Sequence, residues 1–535
     1  MTLSANGQRQ GVEASHQDLL VLLARQTSLG GLLDSIVSEA MRLTGADGGT
    51  LYLVKGEGVE RSLHFSVVRT DSLGIAINGY AGDHVPMLPI KLFLDGLPNH
   101  QNVASYAALS GKTVCIDDAY MVDEFDFSGT KRFDASNGYR SKSFLTLPLT
   151  DHQDEVIGVL QLLNATLSSG EVVGFSAQVI PSIEALATYA AVSLNNQILI
   201  HSHKELLDAF IKSLARITDV RSPHTSLHCQ RIPELTELIA RAACEQKVGY
   251  FADFNLSEEE WYELSVAAWM HDCGKLATPD YVVEKATKLN LILDGIDAIK
   301  ARFSARIAQR ENEYLRAMLQ GGSDVAALQL EMDAELAQLR DDCAFLERSN
   351  LGGEFMRPED QQRVRDMATM TWRDHQGEEQ RMLSDVEIHN LCISRGTLND
   401  EERAIINRHI DITIDILEAL PFPKHLKRVP EYAGGHHEKM NGKGFPRGLT
   451  RDQLSIPARM MGVADIFEAL TAKERPYKKP MPLSQSFSIL RKMRDEEHID
   501  PDVYELFLTS GVWREYADRH LGEVQKDVDD VTPYL

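Results

Sequence analysis

From Ile180 to Ile217 the sequence keeps one helical periodicity without a break, and the chain on either side of it is written in different patterns. Before it come short β-rich runs bounded by turn residues: GTLYLV at Gly49 to Val54, SFLTLPL at Ser143 to Leu149 and EVIGVLQLL at Glu155 to Leu163. They follow a helical stretch over about 18–45 whose apolar residues, among them Leu19, Leu22, Leu23, Leu32, Leu33, Ile36 and Met41, fall on either side of a break at Gly30-Gly31. After residue 220 the pattern is almost wholly helical. Together with a length of 535 residues, beyond what one core usually serves, this predicts a multidomain protein. Its parts are an N-terminal tail over 1–17, an α+β domain over 18–197 and a helical domain over 218–515, followed by a C-terminal tail over 516–535. The helix over 180–217 joins the two domains. Ile183, Ala187, Ala190 and Leu194, then Leu206, Phe210 and Ile217, recur at heptad-like positions within it. That spacing predicts a homodimer through the connecting helix, the alternative being a helix packed on its own domain.

The helical half is interrupted over about 290–393. Two stretches there, Ile299 to Gln320 and Val325 to Arg348, flank Gly321-Gly322-Ser323-Asp324 and predict a helical hairpin, solvated or partner-binding. The formal net charge of −24 repels nucleic acid polymers and anionic membranes, so neither is an expected partner, and a small anionic substrate would need local cations. Six cysteines without any C-x-x-C pair indicate neither a zinc knuckle nor a disulfide framework. With no secretory pattern at the start and no apolar run of about 18 residues, the expectation is a cytoplasmic, soluble chain.

Function is written in histidines and aspartates that occupy positions where helical periodicity calls for apolar residues. In the segment SEEEWYELSVAAWMHDCGK, Ser257 and Glu260 form a capping box and Trp261, Leu264 and Ala268 mark an inward face that His271 continues. Asp272 lies four residues after Ala268, and a buried carboxylate there is costly unless a partner offsets it. His409 shares a face with Ile406, Thr413, Ile416 and Leu420 in a helix capped near Asn399, and His228 lies in line with Ile232, Leu235 and Ile239. His436 and His437 sit in the loop GGHHEKMNGKGFP, and Asp465 shares a helix face with Met461 and Ala469. One such histidine alone is usually a packing residue; the set is not. Imidazole with carboxylate suits iron, manganese or similar divalent ions, and a carboxylate shared between two ions favours phosphodiester hydrolysis.

HDCGK, the separate His409, HHEKMNGKGFP and ADIFEALTAKERPYKK resemble, in order and character, the HD-GYP phosphodiesterase domain, over about 220–290 and 394–510. The resemblance implies an all-α HD-type catalytic domain holding two or three ions, iron or manganese. Their ligands would be His228, His271, Asp272, His409, His436, His437 and Asp465, with Asp272 bridging. It also implies that Lys275 steadies the scissile phosphate and that Arg475 and Lys478 hold the substrate's phosphates. The tripeptide GYP is GFP here, so Phe445 keeps the ring and loses a hydroxyl. His224 stands where trinuclear members carry a glutamate, which makes it a further candidate ligand. The turn that in the family runs on from the HD motif is split by the insertion.

The N-terminal half, through TKRFDASNGYRSKSFLTLPL and the strand after it, resembles a GAF domain over about 18–197, a central antiparallel sheet with helices. This implies a small-molecule pocket with Phe133, Asp134 and Arg140 as candidate lining. The combined expectation is a GAF-regulated phosphodiesterase cutting cyclic di-GMP to linear pGpG and on to GMP. The alternatives are a hydrolase of another cyclic dinucleotide or nucleotide phosphoester, and a catalytically silent nucleotide-binding signalling module.

Overall fold

The computed structural model describes residues 28–221, 227–320, 324–353, 355–472 and 480–535. The apolar positions expected from residue 18 to 27, the hairpin loop Gly321 to Ser323, His224, Arg475 and Lys478 lie outside the described residues. Two compact units are present, Met1–Leu206 and Leu207–Leu535.

In the first unit, helix α1 (Leu29–Thr44) starts at Ser28, whose side chain accepts from Gly31 N, so Gly30-Gly31 lie within the helix and do not break it. The sheet is antiparallel in the order β3-β2-β1-β6-β5-β4. Its strands of three or more residues are β1 (Ala46–Lys55), β2 (Ser62–Thr70), β3 (Ile75–Asn78), β4 (Val114–Ile116), β5 (Phe144–Thr150) and β6 (Val156–Thr166). Strands β1, β5 and β6 coincide with the three β-rich runs. Leu51, Leu53, Leu145, Leu147, Leu160 and Leu162 bury one face of the sheet against Leu32, Leu33, Ile36 and Val37 of α1. Each such side chain contributes about 1.5–3 kcal/mol by burial. Two short helices, α2 (Val103–Ser110) and α3 (Ser128–Asn137), follow the strands β1 to β3 and flank β4.

Helix α4 (Ile180–Arg221) has 42 residues. Its two groups of heptad-like positions have separate fates. Ile183, Ala187, Ala190 and Leu194 are buried in the core of the first unit, whereas Leu206, Phe210 and Ile217 are exposed. The exposed group continues a stripe that includes Tyr189, Val192, Leu199 and Val220, each at least 44% exposed. With Asn196, His203 and Ser213 these positions alternate three and four residues apart from 189 to 220.

The second unit packs α5 (His228–Glu245), α6 (Glu258–Met270) and the helices after residue 408 around Ile232, Leu264, Leu417, Tyr432, Ala464 and Phe467. Residues 516–535, expected as a tail, belong to this core. Tyr516 and Leu521 are buried, Gln525 donates to Thr471 O at 2.9 Å, and Tyr504 donates to Tyr534 O at 2.8 Å. Aromatic and apolar residues continue past 515, and burying them outweighs the cost of ordering the chain end.

The insertion has a core of its own, built from α7 (Ile296–Gln320), α8 (Val325–Asn350), α9 (Pro358–Met367) and α10 (Asp385–Leu391). It also contains a small hairpin, Thr371–Arg373 with Glu379–Arg381, which the helical reading did not anticipate. At its base the two ends meet. Lys285 Nζ lies 2.6 and 2.7 Å from the two carboxylate oxygens of Glu402, and Thr397 donates to Lys285 O at 3.0 Å. An insertion whose ends are clamped together can be long without moving the helices that flank it. After it, the single helix expected from Asn399 is two, α11 (Asp400–Asn407) and α12 (His409–Ala419), with α11 capped by an Asn399–Glu402 box. The helices that follow are α13 (Val429–Gly434), α14 (Ile456–Thr471), α15 (Leu483–Asp495), α16 (Pro501–Thr509) and α17 (Val512–His520).

Candidate metal centre

Helix α6 opens with the expected Ser257–Glu260 capping box and ends at Met270, so His271 and Asp272 fall on the turn that leaves it, both buried. That turn presses on the start of α12. Gly274 N donates to Thr413 Oγ1 at 2.9 Å, and a Cβ at Gly274 would sit 2.0 Å from the His409 carbonyl oxygen. Only glycine allows this approach, which brings His409 Nε2 to 3.2 Å from Asp272 Oδ1. Leu227, with a left-handed φ of 88°, turns the chain into α5, whose first residue is His228. His228 Nε2 lies 3.3 Å from Asp272 Oδ2 and 3.2 Å from Asp465 Oδ1 on α14.

His436 and His437 follow α13. The His436 ring packs edge-on to His271 with centroids 5.0 Å apart, and that of His437 edge-on to His409 at 5.3 Å. Phe445 stacks on His437 at 4.8 Å, so the ring that replaces the usual tyrosine bears on a member of the cluster. A Cβ at Gly444 would come within 2.3 Å of Lys439 N, and buried Glu438 accepts from Arg447 N and Leu449 N at 2.7 and 2.9 Å, which holds the GFP loop closed.

Among the described residues, two groups could hold ions: His228, His271 and Asp272, and His409, His436 and His437. Asp272 faces both. Its Oδ1 and the Nε2 atoms of His409 and His436 are buried without a hydrogen-bond partner among the described residues. Orphaned lone pairs of this kind, converging from separate segments, are what a divalent cation satisfies, so the residues present fit the ions that the sequence implies. Charge states agree with this fit. Burial opposes ionisation of Asp272, but the Lys275 ammonium and the His271 imidazole outweigh it and hold the carboxyl well below its usual range. Asp465 is likewise held ionised, by His228 against the effect of burial. Burial keeps His436 neutral and pushes His437 down to about 4, and the neutral imidazole is the ligating form. Lys275 Nζ lies 2.5 Å from Asp272 Oδ2, at the edge of the same cluster.

One member escaped the sequence reading. Glu468, buried one turn after Asp465 on α14, places Oε2 2.6 Å from His228 Nδ1 and Oε1 3.2 Å from Arg231 Nη1. An acidic residue three positions beyond a candidate ligand on an inward helix face was the available clue.

The first unit contains a cavity of about 400 Å³ whose walls include Tyr52, Phe65, Phe127, Phe133, Phe144 and Gln161. Of the three candidate lining residues, Phe133 is among these walls. Asp134 and Arg140 are not part of the lining. The Asp134 carboxylate accepts from Tyr120 Oη at 2.7 Å and from Ser141 N and Oγ at 2.8 Å, and Arg140 lies over the Tyr120 ring, 3.8 Å from Asp118. Both residues fasten the loop after α3 and do not face the cavity.

Residues 28–194 match the GAF domain family, and residues 381–503 match the family described as HD domain. The second match takes in His409, His436, His437 and Asp465 and begins within the insertion, downstream of HDCGK. Among curated proteins, a 3'3'-cGAMP-specific phosphodiesterase of Vibrio cholerae is 40% identical over 111 residues, 20% of this chain and 23% of that protein. A cyclic di-GMP phosphodiesterase of Thermotoga maritima is 33% identical over 137 residues, 26% of this chain and 36% of that protein. The chain thus spans about a quarter to a third of these relatives. Among solved structures, the GAF domain of an Acinetobacter phosphoenolpyruvate-protein phosphotransferase aligns with 36% of this chain and 97% of its own at 14% identity and a TM-score of 0.27.

Proposed function

Since the chain carries a GAF domain followed by an HD domain, we propose that it is a metal-dependent phosphodiesterase of cyclic dinucleotides, with cyclic di-GMP as substrate and linear pGpG, then GMP, as products. The observation that carries this reading is Asp272, a buried carboxylate with His228, His271 and His409 at 3.2 to 3.3 Å and one oxygen left without a hydrogen bond among the described residues. Ions held there, iron or manganese, would acidify a water and offset the charge that grows on the phosphoryl group. The chain's own residues do the rest. Asp272 and Asp465 stay ionised, and His228, His271, His409 and His436 present Nε2 towards the centre, so the donors are set before substrate arrives. Lys275, within reach of Asp272, is placed to exchange that carboxylate for a substrate phosphate oxygen. Arg475 and Lys478 are assigned to the substrate's phosphates and His224 to a third ion by the family pattern alone. A second reading, 3'3'-cGAMP as substrate, is favoured by the relative that shares 40% identity.

Regulation is assigned to a small ligand in the cavity beside Phe133, and assembly to two copies of the chain joined along α4 in the cytoplasm. The exposed residues from Tyr189 to Val220 support the dimer, because alternating steps of three and four over more than four heptads match a two-stranded coiled coil. The test is hydrolysis of cyclic di-GMP and 3'3'-cGAMP in parallel, with and without ferrous or manganous ions, products resolved by chromatography. Metal-dependent turnover of either supports the class and the faster one names the substrate; no turnover of either contradicts it.

A further inference from the structure

The histidines of the centre are not held alike. His271, His409 and His436 each place Nδ1 at 2.7, 2.5 and 2.6 Å from the carbonyl oxygen three residues earlier, those of Ala268, Ile406 and Ala433. In each case the ring is fixed by a neutral acceptor, with Nε2 directed at the centre. His228 begins its helix, and its Nδ1 meets the Glu468 carboxylate instead, at 2.6 Å. Glu468 is 2% exposed and is anchored from behind by Arg231. A buried carboxylate behind an imidazole fixes the tautomer more firmly than a carbonyl does, and it lends the ring negative charge that makes Nε2 a stronger donor.

This asymmetry adds to another. Asp465 lies beside His228, so the subsite of His228, His271 and Asp272 gathers two carboxylates directly and a third through His228. The subsite of His409, His436 and His437 gathers three imidazoles beside the other oxygen of Asp272. We propose that Glu468 is a positioning residue that makes the His228 subsite the high-affinity one, while the ion at His409, His436 and His437 is bound weakly and exchanges. One helix, α14, then supplies both the ligand Asp465 and the support for His228, so a shift of α14 would change the tight subsite and spare the other.

The proposal rests on the metal-dependent reading above, and its test reads metal rather than turnover. The full chain, stripped by chelation, is titrated with manganous ion and followed by calorimetry and electron paramagnetic resonance. The wild type takes up a first equivalent with the spectrum of an isolated ion, and a second, weaker one that converts it to a spin-coupled pair. His409→Ala keeps the first step and loses the second. Glu468→Gln weakens the first step about 10- to 100-fold and leaves the second little changed. Should Glu468→Gln fail to fold, Glu468→Asp, whose shorter carboxylate no longer reaches His228 Nδ1, is expected to weaken the first step too. A first step unchanged in the folded variant, or both steps weakened by one factor, overturns the proposal. Two equal steps in an active wild type overturn it as well and leave the enzyme reading intact. Two unequal steps in a chain that hydrolyses no cyclic dinucleotide do the reverse.

Discussion

Replacing Gly274 by alanine tests how the HDCGK turn and α12 are joined. The added methyl would lie 2.0 Å from the His409 carbonyl oxygen and 2.7 Å from both N and Oγ1 of Thr413. The first distance is roughly 1.5 Å short of ordinary contact, and the obstacle is backbone, which cannot rotate away. Relief requires either the HD turn or the first turn of α12 to move by about that amount, which breaks the 2.9 Å bond from Gly274 N to Thr413. Overpacking costs about 1–3 kcal/mol and a stranded buried amide a further 1–3, so the unfolding midpoint of the second unit should fall by roughly 5–10 °C. Because the displaced segment carries His409, a shift of about 1 Å also predicts at least a 100-fold loss of hydrolysis. Differential scanning calorimetry and the chromatographic assay measure the two effects. Thr413→Val, which removes the acceptor without overlap, should lose stability but little activity. A Gly274→Ala protein with wild-type midpoint and turnover would refute the packing argument.

Paired lysines along α4 test the seam: Leu206→Lys with Phe210→Lys removes four apolar side chains from a dimer. At about 1.5–3 kcal/mol each this is at least about 6 kcal/mol, more than four orders of magnitude in dissociation constant. Light scattering should show a dimer become a folded monomer, and a monomeric wild type would contradict the seam. Lys288 is 1% exposed, donates to Leu391 O at 2.9 Å, and is pushed by burial from 10.5 down to about 8. Between those values the unfolded chain keeps a proton that the folded chain has released. Stability of the insertion should therefore rise with pH by about 1.4 kcal/mol per unit from about 8 to 10.5, and the rise should vanish in Lys288→Met. Denaturant titrations at three pH values decide this, parallel profiles being the contrary result.

Both domains were legible where one physical requirement dominated. The runs at β1, β5 and β6 are apolar on both faces and read as strands without help, whereas β2, whose half-buried and buried residues follow no strict alternation, did not. His228, His271 and His409 stood out because each falls on an apolar stripe, and with His436 and His437 they draw on four distant segments that only the fold brings together. Glu468 did not stand out, since its partner His228 is 240 residues away. Asp134 and Arg140 were pocket candidates through the GAF resemblance of the segments that hold them; their hydrogen bonds and ring contact instead tie the ends of α3 to Asp118, Tyr120 and Ser141. The α4 reading mixed two registers, and exposure separates the residues that pack inward from those that form the stripe.

The most direct test of the central claim compares wild type with Asp272→Ala, measuring bound metal by elemental analysis and hydrolysis of cyclic di-GMP and 3'3'-cGAMP on the same samples, with far-ultraviolet circular dichroism as the check on folding. Asp272 faces both histidine groups. The account predicts a folded variant that has lost its metal and its turnover together. A folded variant that retains hydrolysis would contradict it.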